Sequence, residues 1–361
     1  MFVSNYAGSV MMRALSFILV LALAASAKAQ QAPDSSGVLA KRVSNVIGRV
    51  RTRPVDSGTL EEAIQLGFDL LRAGNYEEGL SLFTAVIDAN RIEHRAIYGR
   101  ALALFNLGRI ADAEQDARAA IEVSKTRVSL APQAQYGLAD ALVLLGVVLA
   151  VKSDSAGALA AVREAVAFAP ENFDAQFALG RALYGAGDPK NAVLAFRKAI
   201  ALRPDDGESR FFLATTLESA GDYDKARTAY LELIALHPEN AEGHLGLGVL
   251  LVKLETERTD EGIRELLKAI SLNGDLYEAR VTVGRTLIKL GRASEALEHL
   301  TRAAQLAPNN PEPHFQLAIA YRRLGKIAEA EAEAAKVREI NSSRRRTKDT
   351  SNVKIPLNDR D

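Results

Sequence analysis

Six glycines set the frame within which this chain can fold. Gly74 and Gly108, Gly187 and Gly221, and Gly291 and Gly325 are each separated by 34 residues, and a charged or polar residue follows each of them. Gly108 to Gly187 is 79 residues, two periods plus 11, and Gly221 to Gly291 is 70, two periods plus 2. Each gap therefore hides one further unit and a small insertion, and the count reaches eight. A period of this length means one supersecondary unit stacked on copies of itself.

Other columns keep the same phase. Seven residues before the turn stand Gly67, Ala101, Gly146, Gly180, Ala214, Gly248, Gly284 and Ala318. Five residues after it stand Gly79, Ala113, Ala158, Ala192, Ala226, Gly262, Ala296 and Ala330. Two antiparallel helices approach closely only where the facing residues are small. The glycine takes the turn, and Pro170, Pro204, Pro238 and Pro308 end the second helix. From Phe173 to Asp206 the apolar residues Leu179, Leu183, Phe196, Ala199, Ile200 and Leu202 fall at helical spacing. That stripe is too wide for one pair to bury alone, and stacking on the next pair covers it. Repeat three departs from the pattern, with Ser153 at the turn and an 11-residue insertion before it.

These residues resemble the tetratricopeptide repeat family, most closely in Leu179-Gly180, Ala192, Phe196, Ala199 and Pro204, with Leu247-Gly248 and Leu317-Ala318-Tyr321 elsewhere. The family's large aromatic early in the first helix is replaced by Gln176, Arg210, His244 and His314. The resemblance covers residues 60–340. It implies an all-α, right-handed superhelical solenoid of about eight antiparallel helix pairs.

The ends read differently. Ala14 to Ala27 is a charge-free run preceded by Arg13 and followed by Ala27-Lys28-Ala29, the pattern of a secretory signal peptide over residues 1–29, cleaved after Ala29. Such a run spans roughly 21 Å as a helix, short of the ~30 Å hydrocarbon core. The expectation is export, to the periplasm or beyond. Residues 30–59 are expected to form a basic linker or short capping helix, with Val38, Leu39, Val43, Val46, Ile47 and Val50 on one stripe and Lys41, Arg42, Arg49, Arg51 and Arg53 among them. The same basic face, over residues 38–53, suits peripheral contact with an anionic membrane or an acidic partner. Residues 341–361 lack an apolar period and are expected to be a disordered polar tail.

Searching for chemistry returns nothing. Cysteine is absent, and His94, His237, His244, His299 and His314 never pair at helical spacing, so neither a metal nor a cofactor is expected. Phosphate loops, H-E-x-x-H and G-x-S-x-G are missing, and no catalytic residue is assigned. Lys and Arg number 45, as do Asp and Glu, a balance that gives no reason to expect nucleic acid. The expectation is a non-catalytic scaffold or adaptor of the cell envelope. The alternative is a glycan- or wall-binding accessory subunit, against which the absence of Trp counts.

By the resemblance, the first helix of each pair lines the concave wall. That assigns Phe177, Arg181, Tyr184, Phe211, Arg285, Lys289, Phe315, Arg322 and Arg323 to a peptide-binding groove. Rings interleaved with cations suit an extended segment or helix, and the cations point to an acidic partner. Phe177, Phe211 and Phe315 stand where a clamp for a C-terminal carboxylate would place Lys.

Overall fold

The computed structural model describes residues 35–351 apart from 53, 131–134 and 255–256, and every regular element in that range is helical. A leading helix α1 (Ser35–Arg51) precedes eight helix pairs. These are α2 (Ser57–Arg72) with α3 (Tyr76–Ala89), α4 (His94–Asn106) with α5 (Ile110–Leu130), α6 (Gln135–Val151) with α7 (Ser155–Phe168), and α8 (Phe173–Gly185) with α9 (Pro189–Leu202). Then follow α10 (Gly207–Ser219) with α11 (Tyr223–Leu236), α12 (Ala241–Lys253) with α13 (Thr259–Leu272), α14 (Tyr277–Lys289) with α15 (Ala293–Leu306), and α16 (Pro311–Arg323) with α17 (Ile327–Ser351). The chain divides into two compact units, Met1–Ser209 and Arg210–Asp361, the boundary falling in the first turn of α10.

Each turn is built as the columns require. Gly74, Gly108, Gly187, Gly221, Gly291 and Gly325 all have φ between 73° and 82°, the left-handed region that disfavours a Cβ. In repeat four the Gly187 amide donates to Tyr184 O and the Asp188 amide to Leu183 O, which satisfies the last carbonyls of α8. Ser153 adopts the same conformation with φ 65°, and its neighbours make the same two bonds, Ser153 N to Ala150 O and Asp154 N to Leu149 O. Repeat three thus closes like the others despite lacking the glycine. The 11-residue insertion lengthens α5 to 21 residues.

Within a pair, the small columns let a large side chain lie flat across the partner backbone. A Cβ on Gly67 would sit 2.6 Å from the Phe83 ring, and one on Gly180 2.6 Å from the Phe196 ring. The glycine cluster in α12 has the same cause: Gly246 lies under the Tyr230 ring, and Gly248 faces Gly262 of α13. First helices of successive repeats also pack on one another, α2 on α4, α4 on α6 and α6 on α8 in the first unit, and α12 on α14 and α14 on α16 in the second. Each unit therefore presents a wall of first helices.

The ends of the stack are covered. Helix α1 buries Val43, Val46 and Val50 against α2 and α3, while Lys41, Arg42 and Arg51 stay exposed and Arg49 bonds Glu62 at 2.8 Å. Helix α17 buries Ala330 but exposes Glu329, Glu331 and Lys336, a wet outer face that needs no further repeat. It also continues through residues 341–351, where the sequence predicts an unstructured tail. Arg and Lys are good helix formers, and Arg344 donates to Asn309 O at 2.7 Å, which ties the extension back to the loop before α16. Residues 352–361 and 1–34, the latter including the segment expected to be a signal peptide, lie outside the described range. Among the described residues no helix is long and apolar enough to cross a membrane.

Candidate functional site

The wall of first helices in the first unit opens into a cleft of about 350 Å³. Phe68 and Arg72 of α2, Tyr98 and Leu102 of α4, Asp140 and Val143 of α6, and Phe173, Asp174 and Phe177 of α8 line it. Arg203, Asp206 and Glu208, from the connection into α10 and its first turn, close one end. Four consecutive repeats and the start of a fifth thus contribute to one concavity.

Rings form its apolar lining. Phe68 lies 6.3 Å from Tyr98, and Phe173 stacks parallel to Phe177 at 6.0 Å. The Arg203 guanidinium sits 3.7 Å above the Phe173 ring and 3.9 Å from the Asp174 carboxylate. Helix capping positions the acids. Asn172 caps α8 by accepting from Ala175 N at 2.9 Å, and its amide nitrogen donates to Asp140 Oδ1 at 3.0 Å. Asp206 accepts from Ser209 N at 2.7 Å, which caps α10 and places Glu208 in the helix's first turn. One Glu208 oxygen, Oε2, is buried without a hydrogen bond.

Burial acts on these acids in one direction. It pushes Asp140 up to about 6 and Glu208 up to about 7, the latter despite the pull of Arg181. Asp174 is raised by burial against the opposing effect of Arg203. Tyr98 is raised by burial and by the charges of Asp140 and Asp174. Arg181 is pushed down to about 10 by burial, with Glu208 working against the shift.

The residues singled out from sequence divide between the units. In the first, Phe177 is only 7% exposed, so it forms cleft wall rather than an open platform. Arg181, 5.9 Å from the Phe177 ring, and Tyr184 are half-buried on the same helix. In the second, Phe211 is half-buried edge-on to Phe212 at 5.8 Å and Phe315 is 53% exposed. Arg285, Lys289, Arg322 and Arg323 are exposed on α14 and α16. Within the unit Arg285 is 3.8 Å from Glu312, and Arg323 donates to Ile288 O near the end of α14. The structure does bring α14 and α16 together, as the phase requires, but Glu312 and a helix C-terminus offset part of the charge.

Sequence reasoning passed over the acids of the cleft. Their signal was a column thirteen residues before each turn, which reads Glu61, Arg95, Asp140, Asp174 and Glu208 in the first five repeats. Asp174 and Glu208 lie in the first turn of their helices, where an acid complements the helix dipole and needs no ligand, so these two attract little notice. The departed aromatic column has a plain structural role. Gln176 donates to Pro170 O at 2.8 Å, and His244 lies 3.0 Å from Pro238 O, each tethering a first helix to the end of the repeat before it.

The architecture defines a helical-repeat solenoid. Tetratricopeptide repeat models match residues 64–124, 100–147 and 143–207 in one version, and 183–250 and 287–346 in another. The chain belongs to the tetratricopeptide repeat family. Among solved structures it is similar to pilF of Pseudomonas aeruginosa, with 19% identity and TM-score 0.50 over 56% of this chain and 91% of that one. It is also similar to MamA, with 21% identity, TM-score 0.45 and 49% and 96% coverage. A third is YrrB, described as a TPR protein with an unusual peptide-binding site, with 24% identity, TM-score 0.44 and 55% and 95% coverage. The likeness to pilF speaks to the fold alone. No curated protein matches the chain.

Proposed function

We propose that this protein is a non-catalytic scaffold of the cell envelope that holds polypeptide segments on its walls of first helices, with the cleft of the first unit as the principal seat. The observation that supports this most is the cleft itself. Phe68, Tyr98, Val143 and Phe177, from four successive repeats, converge on one concavity of about 350 Å³. A repeat stack is suited to this work because its binding surface is extended and set by rigid elements rather than loops. Apolar lining with a few placed polar groups is the usual make-up of a binding pocket. Export is supported by the leader-like segment 1–29.

Photo-crosslinking in the native cell tests the seat. A photoreactive residue at Leu102 or Val143, which line the cleft, should trap a discrete partner. The same residue at Ala119, exposed on α5, should not. Crosslinks of equal yield from both places would remove the cleft from the reading. Mass spectrometry of the envelope fraction tests export: the mature chain should begin at Gln30, and an intact leader on cytoplasmic material would refute it.

A further inference from the structure

We infer that the cleft of the first unit is a cation-recognition subsite, which takes a lysine or arginine side chain of the bound segment among the carboxylates of Asp140, Asp174 and Glu208. This rests on the reading of the cleft as a polypeptide seat and adds the chemistry of what enters it.

The column thirteen residues before each turn carries the argument. Where it passes from repeat one to repeat two it alternates in sign, and Glu61 and Arg95 meet at 2.7 Å and 3.0 Å. The wall neutralises itself there. Over the next three repeats the column reads Asp140, Asp174 and Glu208, like charges on successive units facing one cavity. Stacking like charges opposes folding unless a counter-charge arrives. Among the described residues that line the cleft, the chain's own cations balance these acids in part. Arg72 is bridged to Asp69 at 2.6 Å. Arg203 serves Asp174 at 3.9 Å, and Arg181 acts on Glu208. Asp206 is engaged in capping α10, whereas Asp140 accepts one bond, from Asn172, and Glu208 keeps a buried oxygen without a donor.

Arg203 shows the mode of recognition with the protein's own side chain, a guanidinium on a ring face beside a carboxylate. The Tyr98 and Phe68 rings, 6.3 Å apart, add to that lining on α4 and α2. A long apolar stem along those rings would carry its cation to Asp140 and Glu208. Because burial holds these two acids up, at about 6 and about 7, an arriving cation displaces protons. Binding should then strengthen as pH rises from 5.5 to 8. The other groups facing them are Tyr98 from α4, Asp174 and Arg181 from α8, and Arg203 and Asp206 from the connection to α10. Tyr98 is raised and Arg181 is pushed down only to about 10, so neither changes charge in that interval.

The probe is a set of random decapeptide pools with a fixed central Lys, Arg, acetyl-lysine, norleucine or Glu, captured on the immobilised protein. The parent should retain Lys and Arg pools about tenfold to hundredfold over acetyl-lysine and norleucine pools at pH 8, the range of one or two charge-assisted contacts. The preference should shrink at pH 5.5. It should vanish in the Asp140→Asn/Glu208→Gln variant, whose neutral isosteres relieve a burial strain, so the fold is expected to persist and circular dichroism checks it. Val143→Trp, which fills the cleft, separates the two readings. Loss of all pools with Val143→Trp, but no cation preference in the parent, keeps the seat and overturns the subsite. Pools indifferent to Val143→Trp overturn both. A Lys and Arg preference that survives in the double variant also overturns the subsite.

Discussion

Placing alanine at Gly248 should destabilise the protein, although alanine is the better helix former. The expected gain from helix propensity is about 1 kcal/mol. Against it stands the contact between α12 and α13, where a Cβ on Gly248 would lie 2.8 Å from Gly262 O, 2.7 Å from Leu266 Cγ and 3.0 Å from Leu266 N. Two of the three atoms are backbone, so no side-chain rotation relieves the crowding. The approach is reciprocal, since a Cβ on Gly262 would meet Gly248 O at 3.0 Å. The helices must separate by roughly 0.5 Å, which forfeits about a quarter of the dispersion along that seam. Overpacking of this kind costs about 1–3 kcal/mol, so Gly248→Ala should be net destabilising by up to about 2 kcal/mol. Gly48→Ala supplies the control, because Gly48 also lies within a helix but has nothing within 4 Å of its would-be Cβ. It should stabilise by up to about 1 kcal/mol. Urea unfolding followed by circular dichroism reads the signs. Hydrogen exchange places the loss in α12 and α13, which matters because a stack can open locally. A Gly248→Ala protein as stable as the parent would refute the reasoning.

Three further outcomes follow from the same geometry. Ser153→Gly removes a side chain from a left-handed turn and should raise stability by about 1 kcal/mol, read as a higher urea midpoint at unchanged slope. Ala192→Leu overfills a fully buried contact between α8 and α9 and should cost about 1–3 kcal/mol, with unfolding no longer a single step; a melt like the parent's would contradict the phase of the repeats. Asp140→Asn should stabilise in a pH-dependent way. The folded carboxyl is raised to about 6 from an ordinary 3.8, so its favourable contribution is complete below the ordinary value and lost as pH rises through 6. The variant should match the parent near pH 3.5 and exceed it by roughly 2–3 kcal/mol at pH 8, and parallel pH–stability curves would contradict it.

What the sequence determined by itself was the repeat, because its signals are local or periodic. A turn that needs positive φ selects glycine at Gly74, Gly187 or Gly291 whatever surrounds it. Helices that nearly touch select small residues at fixed offsets, and the 34-residue period reports both constraints at once. Even repeat three was legible from its small columns, although only the structure shows Ser153 accepting the turn's backbone geometry. The aromatic and cationic residues of the first helices could be placed by phase, but not their fate. Phe177 is buried, Arg323 bonds a carbonyl of the preceding first helix, and Arg285 meets Glu312. The cleft and its acids were decided by tertiary structure alone. An aspartate in the first turn of a helix looks the same in sequence whether it faces water or a neighbour's aspartate. Desolvation and proximity separate the two cases, and both depend on residues about 34 positions away along the chain.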